Sequence, residues 1–114
     1  HTFGHAIEAA TLYKSWLHGE AVGAGLAMAA TLSARAGFMQ TADVERVSAL
    51  LKRAGLATSA ADVRGLDALD AMRIDKKVQQ GRIRFVLMRG IGQGFLTSEY
   101  PEDALQRTLA EHFA

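Results

Sequence analysis

Cysteine is absent from the 114-residue sequence. Disulfides and thiolate metal sites are therefore excluded, and the absence fits a reducing compartment, so a cytoplasmic location is expected. Long apolar runs are also missing. None reaches the roughly 18 residues that span a bilayer, and the longest candidate, Ala21 to Leu32, is rich in Gly and Ala and reads as a closely packed core helix. No signal-peptide pattern opens the sequence. Neither sign of charge dominates: 13 Lys and Arg stand against 12 Asp and Glu for a net charge of +1, with Lys and Arg scattered rather than clustered. That leaves no electrostatic footprint for nucleic acid. A G-x-G-x-x-G turn between a strand and a helix is lacking, and with it any recognisable nucleotide site. Repeats, low-complexity segments and linkers are missing too. Residues 1–114 are accordingly expected to form a single, mostly helical domain that buries about two-thirds of its unfolded surface. The sequence starts on a histidine inside its richest motif, without an initiating methionine, and reads as the C-terminal domain of a longer protein.

What is present concentrates in the first twenty residues, which hold three of the four histidines. His1 and His5 are four apart and share one face of a helix. His18 follows a short connection containing Tyr13 and Trp16, and opens the next helix. Two imidazoles from one helix and a third from the next element can converge on one point, and neutral imidazole is a good zinc ligand. The same spacing is also common in helices that bind nothing. The zincin pattern H-E-x-x-H is not met, because Thr2 stands where its general-base glutamate would be. Glu8 and Glu20 follow histidines closely enough for either to accept a hydrogen bond from an imidazole.

Elsewhere the patterning is structural. Residues 1 to about 11 favour helix, with Gly4 either admitting a ligand close to the backbone or marking a frayed start. A central helix runs from His18 to about Gly37. Val22, Gly25, Leu26, Ala29, Leu32 and Ala36 form its apolar stripe, and Gly19, Gly23 and Gly25 allow another helix to approach. Thr41 is the expected N-cap of a third helix, to Ala54, that buries Val44, Val47, Leu50 and Leu51. A fourth covers Leu66 to Asp75. Arg82 to Arg89 alternates with period two and reads as a strand, paired with Phe95 to Tyr100 in a small β-hairpin within residues 82–100. Pro101 opens a last helix with Leu105, Leu109 and Phe113 inward, and His112 reads as a solvated cap outside the site. Arg35 and Arg73 could line a cleft, although surface positions are the commoner place for arginine. The adjacent Lys76 and Lys77 at a helix end would ordinarily complement the macrodipole.

The residues themselves carry more than their spacing. His-Thr-Phe-Gly-His-Ala-Ile-Glu at 1–8 and Trp-Leu-His-Gly-Glu-Ala-Val at 16–22 closely resemble the metal-site segment of the 3-dehydroquinate synthase family. Asp75-Lys76-Lys77-Val78, Gly81, Arg82-Ile83-Arg84-Phe85-Val86-Leu87 and Gly90-Ile91-Gly92 resemble its distal signature. The resemblance implies the helical C-terminal domain of a dehydroquinate synthase-like fold, preceded in the whole protein by an NAD-binding domain. It implies a metal, zinc or another divalent ion such as cobalt, held by His1 and His18 with a glutamate from upstream. His5 would act in proton transfer beside the departing phosphate. His1, His5, His18 and a lysine of the pair Lys76 and Lys77 would contact the substrate, and adjacent helical positions point about 100° apart, so only one lysine can face inward. The implied reaction converts 3-deoxy-D-arabino-heptulosonate 7-phosphate to 3-dehydroquinate and phosphate in the shikimate pathway, with zinc and catalytic NAD, in a homodimer. Alternatives are a related cyclase of the 2-deoxy-scyllo-inosose synthase kind, a metal-dependent polyol dehydrogenase, or an inert helical fragment. By itself the 114-residue chain is expected not to turn over, and to expose apolar surface where the upstream domain would sit.

Overall fold

A computed structural model describes residues 1–74, 78–79 and 82–114. Among the described residues, five helices and two small antiparallel hairpins follow one another in the order α1 (Thr2–Ala10), α2 (His18–Arg35), α3 (Thr41–Arg53), α4 (Gly65–Ile74), β1 (Val78–Gln79), β2 (Arg82–Ile83), β3 (Phe85–Gly90), β4 (Gln93–Thr97) and α5 (Glu102–His112). The architecture is mostly helical with a small hairpin, as expected. No helix among the described residues is long and apolar enough to cross a membrane.

α2 is the spine. It packs against α1, α3, α5 and β3, while α4 closes on α1. Its core-facing side chains are Ala21, Ala24, Met28 and Leu32, with Ser33 beside them. The expected stripe is therefore rotated: Val22 and Ala29 are half-buried and Leu26 is exposed. A helix covered on most sides gives little periodic contrast, so its inward face cannot be read from apolar spacing. Gly4 and Gly25 mark where α1 crosses α2. A Cβ on Gly25 would lie 2.8 Å from the Gly4 amide nitrogen, and one on Gly4 would lie 3.1 Å from the Ala21 carbonyl oxygen. Gly4 thus serves helix–helix approach and does not mark a frayed start.

α3 departs from expectation in two ways. Gln40, not Thr41, occupies its N-cap, without a side-chain cap hydrogen bond. Of its expected stripe only Leu51 is fully buried, and Leu50 is 66% exposed. The helix lies on the outside of α2, where one row of contacts suffices. Leu66 of α4 is likewise exposed, and Ala68, Leu69 and Met72 face the core.

The expected strand from Arg82 is split. Arg82–Ile83 pairs with Val78–Gln79, and Phe85–Gly90 pairs with Gln93–Thr97. Arg84 lies between the two strands. Phe85 and Leu87 point inward as the alternation requires. The Phe85 ring stacks on Phe3 at 4.7 Å and meets Tyr100 edge-on at 5.3 Å, so the hairpin is fastened to α1. The Tyr100 hydroxyl donates to the Ile83 carbonyl at 2.7 Å. Ser33 Oγ accepts from the Met88 amide at 2.9 Å and donates to the Ala29 carbonyl at 2.6 Å.

His112 is not a solvated cap. It is 8% exposed. Its Nδ1 lies 2.8 Å from the Thr58 carbonyl oxygen and 3.2 Å from Ser59 Oγ, and its Nε2 lies 3.0 Å from Thr31 Oγ1. The loop after α3 and the end of α5 enclose it, a proximity between residues more than fifty apart that no local pattern reveals. Arg35 braces the same corner through Thr108 and Glu111.

Candidate functional site

α1 and α2 present the three N-terminal histidines at one end of their crossing. His1 precedes α1, His5 lies one turn into it, and His18 opens α2. The ring centroids are 5.3 Å apart for His1 and His5, 5.7 Å for His1 and His18, and 6.4 Å for His5 and His18. The close Gly4–Gly25 contact produces this proximity, because it sets how far α1 stands from α2.

The connection between the two helices is tightly wound. Leu12 and Tyr13 both adopt left-handed backbone, with φ of 56° and 58°. That is an uncommon state for residues with a Cβ. The Tyr13 amide donates to the Glu8 carbonyl at 2.8 Å, which ends α1 abruptly. Trp16 then anchors the turn through a 3.0 Å hydrogen bond from Nε1 to Asp62 Oδ2. At the start of α2, Glu20 reaches back so that its Oε1 accepts from the Leu17 amide at 2.9 Å. Glu20 is therefore a capping residue. Glu8 is the one that meets an imidazole: its Oε1 lies 3.0 Å from His18 Nδ1.

His5, Glu8 and His18 line a cleft of about 420 Å³ together with Ala9, Tyr13, Ala71 and Ile74. A second cleft, of about 210 Å³, reaches His1 along the α1–α2 crossing beside Phe85 and Val86. The structure thus brings together His1, His5 and His18. Lys76 and Lys77 lie outside the described residues, although in sequence they follow Ile74 of the cleft wall after Asp75.

The donor set fits a divalent metal in its chemistry. Imidazole nitrogen is a preferred ligand of zinc, and two imidazoles on one tetrahedral zinc, each with Zn–N of about 2.1 Å, have ring centres roughly 5 Å apart. The observed separations of 5.3 to 6.4 Å stand close to that value. The rings face one another, with interplanar angles of 9° to 29°, rather than converging by their edges. Accordingly, no three His, Cys, Asp or Glu side chains among the described residues are arranged to hold a metal ion. Two imidazoles, reoriented about their side-chain torsions, would leave coordination positions for a ligand from outside this chain.

The family model for the 3-dehydroquinate synthase C-terminal domain matches residues 1–78. A 3-dehydroquinate synthase of Acidithiobacillus ferrooxidans is 50% identical over 109 residues, which is 96% of this chain and 30% of that protein. One from Pseudomonas aeruginosa is 46% identical over 110 residues, again 96% of this chain and 30% of the relative. The chain therefore spans about 30% of the length of the curated relatives it matches. Among solved structures, the 2-epi-5-epi-valiolone synthase of Streptomyces hygroscopicus, with NAD+ and Zn2+ bound, has a TM-score of 0.78 at 26% identity. That match covers 96% of this chain and 32% of that one.

Proposed function

The chain belongs to the 3-dehydroquinate synthase C-terminal family, and from that premise we propose that it is the metal-binding domain of a longer 3-dehydroquinate synthase. The reaction is loss of inorganic phosphate from a seven-carbon sugar-acid phosphate with closure of the carbocycle. The partner domain is an N-terminal NAD-binding one, and the whole protein is a cytoplasmic homodimer. The single observation that carries the reading is the gathering of His1, His5 and His18 within 6.4 Å of one another on a cleft. The high identity to named synthases favours dehydroquinate as product over that of a related cyclase.

His1 and His18 are the metal ligands contributed by this chain, and a carboxylate from the upstream domain completes the set. When bound, the metal supplies Lewis acidity and NAD supplies reversible hydride transfer. His5 lines the cleft one helical turn from His1, near enough to move a proton as phosphate departs without joining the metal. One lysine of Lys76 and Lys77 holds the phosphate dianion. The surface left for covering by the rest of the protein includes exposed Leu26, Leu50 and Ile91, which rim an apolar groove of about 610 Å³.

The test is zinc titration by calorimetry on the chain and its His1→Ala, His5→Ala and His18→Ala variants, beside phosphate release by the full-length protein with NAD, zinc and the sugar-acid phosphate. Loss of affinity in His1→Ala and His18→Ala but not in His5→Ala is expected, with loss of phosphate release in all three. Equal loss of zinc affinity in His5→Ala would instead assign the metal to the i, i+4 pair.

A further inference from the structure

We propose that Glu8 is a positioning residue that holds His18 with its proton on Nδ1 and its Nε2 lone pair available to the metal. The inference rests on the metal-site reading above and extends it to a residue outside the ligand set. Glu8 Oε1 lies 3.0 Å from His18 Nδ1, across the junction between α1 and α2. An ionised carboxylate only accepts hydrogen bonds, so the imidazole nitrogen facing it donates. In the neutral ring the other nitrogen then carries the lone pair.

The environments of the two side chains make this arrangement directional. The Glu8 side chain is 12% exposed, whereas that of His18 is 60% exposed. The carboxylate is the enclosed partner and the ring the exposed one. Without the bond, a largely solvated imidazole exchanges tautomers freely. With it, the ring is held in one tautomer, and a carboxylate on the far nitrogen raises the basicity of the near one. Position supports the assignment as well. Glu8 is three residues after His5 and seven after His1, so all three project from one side of α1 toward the start of α2.

The test uses the chain itself, its Glu8→Ala and Glu8→Gln variants, imidazole ¹⁵N–¹H correlation spectra and zinc calorimetry. Spectra are taken at about pH 8, above the ordinary range of imidazole titration. Wild-type His18 is expected as the Nδ1–H tautomer. Glu8→Ala should revert it to the Nε2–H form favoured by histidine in water and weaken zinc binding by about 10–100-fold. Glu8→Gln, whose amide oxygen still accepts, should keep the tautomer and lose less affinity. A wild-type His18 protonated on Nε2 overturns the proposal, and that reading needs no variant to fold. So does a folded Glu8→Ala variant with wild-type tautomer and affinity, which would leave Glu8 only a structural tie. In a wild-type chain that does not bind zinc, the His18 tautomer by itself decides the role of Glu8.

Discussion

Adding one methyl group at Gly25 should damage both the stability of the domain and its metal affinity. The new Cβ would lie 2.8 Å from the Gly4 amide nitrogen and 3.3 Å from Phe3 Cβ. The first neighbour is backbone inside a helix and cannot rotate away. α1 and α2 must separate by more than half an ångström to restore ordinary contact near 3.4 Å. Overpacking of this kind costs about 1–3 kcal/mol. Replacing a mid-helix glycine with alanine returns about 1 kcal/mol of helix propensity. The net expectation is a loss of about 1–2 kcal/mol, since rigid backbone places the strain in the upper part of its range. In a chain of 114 residues that lowers Tm by roughly 4–8 °C. The displaced helix carries His1 and His5 while His18 stays with α2, so zinc affinity falls in the same variant. Gly19→Ala is the matched control. Nothing lies within 4 Å of its new Cβ, so its stability should hold or rise by up to about 1 kcal/mol. Thermal melts and zinc calorimetry on both variants read the two effects. A Gly25→Ala chain with Tm at or above wild type and unaltered zinc affinity would refute the claim that this crossing sets the site.

Two further predictions concern the frame around the site. Burial raises the Tyr100 pKa above its ordinary value, with the nearby Arg82 opposing. A raised folded-state pKa contributes stability that is fully present below the unfolded value of about 10 and is lost as pH climbs through the higher folded value. Tyr100→Phe should therefore destabilise by about 1–3 kcal/mol at neutral pH, through the orphaned Ile83 carbonyl, with the deficit shrinking above about pH 10. Denaturant melts across pH check both parts, and a constant deficit would contradict the second. His112→Ala should cost about 2–4 kcal/mol by emptying a buried, hydrogen-bonded position. Zinc affinity should not change in that variant, because the residue serves the α2–α5 corner and not the histidine cluster.

Helix boundaries fell close to their expected positions because glycine, proline and charge placement act within a few residues. Phe85 and Leu87 were legible as inward residues, since a strand with one buried face alternates visibly. The buried face of α2 was not, because surrounding elements cover most of it. Periodicity places Leu50 inward, yet it is 66% exposed, because the number of apolar residues in a helix does not say how many neighbours it has. The burial of His112 escapes local patterning for a related reason: its partners Thr31, Thr58 and Ser59 come from two distant segments.

The sequence by itself determined the family, the helical class, the histidine triplet and the chemistry those residue types allow, since all of these reside in residue identity and short spacing. Tertiary structure alone decided that Gly4 and Gly25 meet, that the three imidazoles therefore stand within 6.4 Å, and that Glu8 rather than Glu20 reaches His18. Those are distances between helices, set by the packing of opposed surfaces, and one-dimensional spacing does not contain them.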